Sequence, residues 1–221
     1  MVLCDAGNSY FHFYYSGKVW KVQPEKLERD EVLLPLYYIS VNPKSTKKLL
    51  EIFPEAINLS PYMMLNTAYK GLGADRIAAC LGIGDGVIVD AGSAITVDVM
   101  QCDIHLGGFI LPGLATYSKM YRAISSALET NLNLTIELNA IPQNTRDAVS
   151  YGALKSILLM IEGSAKNKKL YFTGGDGKFL ARFFPDAIHD DSLVFKGMMR
   201  AITEVSERGI SIDYSRNKGF S

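Results

Sequence analysis

The sequence predicts a mixed α/β fold built from two similar halves. Two observations carry that expectation. The first is an internal repeat: Val2-Leu3-Cys4-Asp5-Ala6-Gly7-Asn8-Ser9 matches Val87-Ile88-Val89-Asp90-Ala91-Gly92-Ser93-Ala94, with Asp90 standing 85 residues after Asp5. Each copy is a short apolar strand running into Asp-Ala-Gly and then a small polar residue. The second is the order of elements, in which strands and helices interleave after an opening hairpin in each half.

The elements follow in chain order. In the first copy Tyr10 to Tyr15 and Lys18 to Val22 are extended around a Ser16-Gly17 turn. In the second copy Ile95 to Met100 and Ile104 to Ile110 flank Gln101-Cys102-Asp103, so the turns correspond as well. Paired apolar runs around a tight turn predict hairpins. Leu36 to Val41 reads as a strand ended by Pro43, Ser45 to Phe53 as a helix, and Ala56 to Leu59 as a short strand. Asp75 to Leu81 reads as a short helix, and Gly113 to Leu128 as a helix behind Pro112. Asn144 to Ile161 is a helix with Asn144 as N-cap, and its stripe Val149, Ala153, Ile157 and Ile161 has the spacing of a buried face. Lys169 to Thr173 is a strand, Lys178 to Phe184 and Phe195 to Glu207 are helices, and Ser215 to Ser221 reads as a frayed tail. The predicted domains are residues 1–85 and 86–221.

At 221 residues the chain is long for one compact domain and short for two. A composition of 48% hydrophobic and 21% charged residues is globular and excludes general disorder. The net charge of zero argues against a nucleic-acid partner, which asks for a basic excess. The basic runs Lys47-Lys48 and Lys166 to Lys169 read as solvated helix ends or loops. No apolar run reaches the length of a membrane span, and Asp5 interrupts the N-terminal apolar residues too early for a signal peptide. Cys4, Cys80 and Cys102 are too scattered for a disulfide framework, and His12, His105 and His189 lack zinc-ligand spacing. A reducing, cytoplasmic setting is the expectation.

The glycine-rich segments fail the common nucleotide motifs. Gly177-Lys178 is followed by Phe179, and Phe172 holds the first Walker glycine position. Gly71-Leu72-Gly73 lacks the third glycine of a dinucleotide fingerprint, because Arg76 stands there. The repeated Asp-Ala-Gly loop is the better candidate. Gly7 and Gly92 are expected to allow a sharp turn and close approach of a ligand, with backbone N–H groups and Asn8, Ser9 and Ser93 as phosphate donors. Asp5 and Asp90 can meet phosphate only through a cation, for which Mg2+ with waters is the natural choice. A single such loop would read as an ordinary strand-end turn; two in duplicated halves point to phosphate.

Taken with Gly73-Ala74-Asp75-Arg76, Asp90-Ala91-Gly92-Ser93-Ala94-Ile95-Thr96, Gly107-Gly108-Phe109-Ile110-Leu111-Pro112-Gly113, Asn144-Thr145 and Thr173-Gly174-Gly175, these loops resemble the acetate kinase, sugar kinase, Hsp70 and actin superfamily, and within it the type III pantothenate kinases. The resemblance implies two duplicated ribonuclease-H-like halves, an actin-like ATPase fold around a central nucleotide cleft. It implies ATP-dependent phosphorylation of (R)-pantothenate to 4′-phosphopantothenate, the first step of coenzyme A biosynthesis, by a homodimer. Asp75 is then the catalytic base, and Asp5, Ala6, Gly7, Asn8, Ser9, His12, Gly92, Ser93, Gly174 and Gly175 bind ATP or its phosphates. Tyr69, Gly73, Ala74, Arg76 and Thr145 join Asp75 in binding substrate, Thr145 in a neighbouring subunit's pocket. Asp90 would hold a monovalent cation, K+ or NH4+, and Asp5 the Mg2+ ion, directly or through water.

Each residue also has a purely structural use. Asp75 suits a helix N-cap, Arg76 a surface salt bridge, Tyr69 a core tyrosine, Thr145 a capping hydroxyl, and Gly174-Gly175 a plain strand-to-helix turn. The Pro112-Gly113 segment is expected either to close over substrate or to form a rigid junction, and His12 stands where related chains carry lysine. Two alternatives to the kinase reading are a kinase of another small hydroxylated metabolite, such as a sugar, and a nucleotide-binding regulator without turnover.

Overall fold

A computed structural model describes residues 1–209 and 212. In chain order the elements are β1 Val2–Ala6, β2 Phe11–Tyr15, β3 Lys18–Val22, β4 Leu36–Ser40, α1 Pro43–Ile52, β5 Ile57–Asn58, β6 Asn66–Thr67, α2 Ala74–Leu81, β7 Gly86–Ala91, β8 Ala94–Gln101, β9 Ile104–Pro112, α3 Leu114–Ile124, α4 Thr145–Ala165, β10 Leu170–Thr173, α5 Gly177–Ala181, β11 Ile188–His189 and α6 Leu193–Glu207. The predicted tail at residues 215–221 lies outside the described residues.

Contacts divide the chain into two units. The first holds Met1–Gly84, Met100–Gly107 and the described residues from Asp191 on; the second holds Asp85–Val99 and Gly108–Asp190. The first break falls one residue from the predicted boundary, but α6 and the tip of the β8–β9 hairpin cluster with the first unit. Sequence periodicity carries no information on such a return. Its physical basis is close helix packing, since a Cβ on Gly197 of α6 would collide with the Ala78 carbonyl of α2. In addition, Phe195 stacks on Tyr14 with ring centroids 5.5 Å apart.

The first unit is built on a sheet of order β3-β2-β1-β4-β5. β1 pairs antiparallel with β2 and parallel with β4. As the middle strand it is buried almost throughout, which is why it reads as a continuous apolar run. Val2, Cys4, Ala6, Phe11, Phe13, Leu36, Leu49 and Phe53 form one core. In the second sheet, order β11-β10-β7-β8-β9-β6, the segment β9-β8-β7-β10-β11 repeats the arrangement of the first. The second core gathers Val87, Val89, Ile95, Leu154, Ile157, Ile161, Leu170 and Phe172. The predicted stripe Val149, Ala153, Ile157 and Ile161 is buried.

Local geometry refines the expected element ends. α1 begins at Pro43 rather than Ser45, because the Asn42 side chain caps it by accepting from the Lys44 N–H at 2.9 Å and proline suits the first turn. α3 stops at Ile124; extended Ser125 (φ −163°) then opens a 3-10 turn over Ser126–Leu128 and accepts from the Ala127 N–H. The hairpin turns hold left-handed residues at Ser16-Gly17 and at Cys102-Asp103, so the second turn sits 86 residues after the first, one residue beyond the 85-residue spacing of the Asp-Ala-Gly loops. Gly7 and Gly92 have no positive φ, so the expected sharp turn does not depend on them.

Replacing Gly197 with alanine is expected to lower Tm by roughly 2–8 °C in circular dichroism melts. An exposed helical Gly→Ala gains up to about 1 kcal/mol, whereas overpacking here costs about 1–3 kcal/mol or more.

Candidate functional site

In the first unit the segment after β1 carries Gly7, Asn8 and Ser9, and its backbone is fixed by side chains from the β4–α1 connection. The Ser40 hydroxyl donates to the Ala6 carbonyl at 3.1 Å, and the Ser45 hydroxyl donates to the Gly7 carbonyl at 2.9 Å. The Asn42 amide donates to Asn8 Oδ1. Asp5 is half-buried at the end of β1, while Asn8 and Ser9 are exposed.

Asp75 lies in the first turn of α2, whose N-cap is Gly73. The capping role suggested by its sequence position therefore belongs to Gly73. The Asp75 carboxylate accepts from the Arg76 N–H at 2.8 Å. It sits at the positive end of the helix dipole, where negative charge is favoured. A Cβ on Gly73 would stand 2.5 Å from Asp75 Oδ1 and 3.2 Å from Val41 Cγ1. A side chain at 73 would therefore push the Asp75 carboxylate aside, and the turn lies against the residue that follows Ser40. The segment Ser40–Val41–Asn42 touches both the Asp5–Ser9 loop and the Gly73–Asp75 turn.

Arg76 is buried, at 6% exposure, and is not the surface residue that a simple salt bridge would use. Its guanidinium carbon lies 5.0 Å from the Tyr69 ring centroid, and Nη1 donates to the Tyr69 hydroxyl at 3.4 Å. Tyr69 is 38% exposed, so the core-tyrosine alternative does not hold.

His12 pairs with Asp5 across β1–β2 and with Lys21 across β2–β3. Burial, and then the Lys21 charge, push its pKa below 6.5, with Asp191 acting in the opposite direction. At neutral pH it offers a ring nitrogen rather than a positive charge.

The second unit repeats the anchoring with different chemistry. Thr173 lies beside Asp90 in the β7–β10 register as Ile39 lies beside Asp5 in the β1–β4 register. Counting on from those pairs, Asp176 corresponds to Asn42, and each occupies the N-cap of the helix that follows. The Asp176 N–H donates to the Ala91 carbonyl at 2.9 Å, and burial raises the pKa of its carboxyl. Gly174 has φ +82°, and a Cβ there would meet Asp90 Oδ1 and the Ala91 carbonyl. The Ser93 carbonyl accepts from the Gly113 N–H at 3.1 Å and from the Thr116 hydroxyl at 2.7 Å.

Asp90, Gly92, Ser93, Gly113 and Gly174 are therefore brought together. Among the described residues, a Cβ on Gly175 would meet nothing within 4 Å, and one on Gly92 only the Ala94 carbonyl at 3.6 Å. Thr145 stands apart at the start of α4, behind the Asn144 cap that accepts from the Asp147 N–H at 2.9 Å. It lines an open cavity of about 570 Å³ with Tyr121, Leu128 and Pro142. Ser40, Asn42, Ser45, Thr116 and Asp176 were not singled out from sequence. Asp176 carried a signal, since it directly follows Gly174-Gly175.

Residues 1–167 match the family model described as Type III pantothenate kinase. A Type III pantothenate kinase of Wolinella succinogenes is 63% identical over 94% of this chain and 99% of its own length. One of Helicobacter hepaticus is 52% identical over 91% and 98% respectively. Among solved structures, a Campylobacter jejuni protein described as a conserved Baf family transcriptional activator superposes with a TM-score of 0.83 at 48% identity, covering 94% of this chain and 100% of its own. A Sinorhizobium meliloti protein described as a 2-dehydro-3-deoxygalactonokinase gives 0.58 at 10% identity over 92% and 96%, which shows a shared sugar-kinase fold.

His12 is expected to titrate below 6.5 in NMR, and Lys21→Ala to move its midpoint upward. A depressed midpoint means the unfolded chain binds the proton first. The contribution of His12 to stability is therefore intact above about 6.5 and is lost as pH falls from there toward the folded midpoint.

Proposed function

The chain belongs to the type III pantothenate kinase family, and from that membership we propose the part each residue plays in moving the γ-phosphoryl group of ATP onto pantothenate. The reaction is ATP-dependent phosphorylation of pantothenate to 4′-phosphopantothenate in coenzyme A biosynthesis, with ATP and a divalent metal.

Asp75 accepts the proton of the substrate's primary hydroxyl as its oxygen bonds to the γ-phosphorus and the bond to ADP breaks. Because the transition state is loose, orienting the hydroxyl is as large a part of its work as taking the proton. The observation that most supports this role is the Ser40–Asn42 segment, which holds the Asp5–Ser9 loop and the Gly73–Asp75 turn against one support. Arg76 pairs with the pantothenate carboxylate, with Gly73, Ala74 and Tyr69 lining the same pocket. Asn8, Ser9 and Ser93 offer side-chain donors to phosphate, with the backbone of Ala6, Gly7 and Gly92 beside them, and His12 adds a neutral ring nitrogen. Packing within the chain does not demand glycine at 92 or 175, and close approach of the nucleotide accounts for both.

Oxygen donors fit both cations. Asp5 suits magnesium, and the Asp90 carboxylate beside the Ala91 carbonyl suits potassium or ammonium. Magnesium bound with ATP neutralises charge on the phosphate oxygens. The functional unit is a homodimer in which Thr145 reaches the substrate pocket of the second copy. The exposed Ile124 and Ile141, at 71% and 72%, lie close in sequence to Tyr121, Leu128 and Pro142, which line the Thr145 cavity, and support a covered face. We place the enzyme in the cytoplasm as part of this reading. Separately, no helix among the described residues is long and apolar enough to cross a membrane. The regulatory description of the Campylobacter structure stays with that protein, since Asp5 and Asp75 are both in place here.

With ATP, magnesium and pantothenate, the protein is expected to release ADP faster in potassium than in sodium. Equal rates would remove the monovalent cation at Asp90, and no ADP in either salt would remove the kinase reading. Asp75→Asn is expected to lower kcat by about 10²–10⁴-fold, and wild-type turnover in that variant would contradict the base assignment. Gly73→Ala has an allowed backbone (φ −64°) yet displaces the carboxylate, so kcat should fall about 10²-fold with Tm little changed.

A further inference from the structure

The β6–β9 pairing places Thr67 directly beside His105. Thr67 Oγ1 and His105 Nδ1 are 2.7 Å apart, and the same hydroxyl accepts the Tyr69 N–H at 3.0 Å. The His105 ring lies 5.9 Å from the Tyr69 ring, and Tyr69 carries the Arg76 guanidinium on its other contacts. His105 is 3% exposed, whereas Tyr69 is partly open to solvent at 38% and would otherwise choose among rotamers. A half-exposed aromatic ring gives a buried arginine a fixed support only if its own backbone and ring are held.

We infer that Thr67 and His105 are positioning residues: they hold Tyr69 so that its ring fixes the Arg76 guanidinium for the substrate's carboxylate. This rests on the reading of Arg76 as the carboxylate partner. The hydroxyl accepts from Tyr69 and shares a hydrogen with Nδ1, so one side chain joins the β9 edge to the loop before α2. These contacts of Thr67 and His105 run to Tyr69, so the effect is expected on pantothenate rather than on ATP.

The test is steady-state kinetics on Thr67→Val, which keeps the shape and loses the hydroxyl, beside Thr67→Ser, which keeps it. Thr67→Val should raise KM for pantothenate roughly three- to tenfold, with kcat and KM for ATP within about twofold of wild type, and Thr67→Ser should restore KM. His105→Ala should follow Thr67→Val in KM for pantothenate. In an Arg76→Met background Thr67→Val should add nothing. An unchanged KM in Thr67→Val, or a fall in kcat and Tm together with a rise in KM for ATP, would overturn the inference. If Arg76→Met itself leaves KM for pantothenate unchanged, the carboxylate reading fails and the inference falls with it. If Arg76→Met raises KM and Thr67→Val does not, the inference alone fails.

Discussion

The carbonyl that ends each loop strand is held by the neighbouring parallel strand's exit. In the first unit the Ser40 hydroxyl takes the Ala6 carbonyl; in the second the Asp176 N–H takes that of Ala91. A phosphate-binding backbone must be preorganised to be useful, because ordering a loop at the moment of binding takes back part of the interaction. Tying the carbonyls down from a strand in the same sheet fixes the loop without asking the ligand to do so. In the first unit the same exit segment also abuts the turn that carries Asp75, so one local packing arrangement sets the loop and the proposed base together.

Glycine does different work at different places in this arrangement. Gly113 and Gly174 are demanded by the chain's own packing, since a Cβ at each would meet the Gly92–Ser93 or the Ala91 backbone, whereas one at Gly73 would displace only the Asp75 and Val41 side chains. Gly92 and Gly175 are not demanded by packing. That contrast separates glycines that build the site from glycines that leave room at it. It also explains why a short run of small residues can carry a function that needs few charged groups. The chain has no net charge, and Arg76 is the positive side chain that the proposed site uses.

Much of this was legible in the amino-acid sequence. The Asp-Ala-Gly repeat announced two similar sheets because burial on both faces forces an apolar strand and the loop follows at its end. Asn144 announced its helix because capping is a local interaction between a side chain and the N–H three residues on. What escaped were relations set by register. That Asn42 and Asp176 occupy corresponding positions depends on which residues lie beside Asp5 and Asp90, and their sequences share only a small polar side chain. Thr67 and His105 meet through strand pairing across a long stretch of chain. The return of α6 to the first unit depends on close packing against α2 at Gly197 and on the Phe195–Tyr14 stack, both set by tertiary packing. Asp75 suits an N-cap by residue type, yet Gly73 takes that place, and the close approach of its backbone to the Asp75 carboxylate is invisible without coordinates.

The central claim is that the chain transfers the γ-phosphoryl group to pantothenate rather than binding or hydrolysing nucleotide. Phosphorus-31 NMR of the purified protein with magnesium, ATP and pantothenate tests it most directly. The account predicts a phosphomonoester resonance that grows in step with ADP and carries proton coupling to the substrate's primary CH2. Growth of inorganic phosphate in place of that resonance, or an unchanged ATP spectrum, would contradict it.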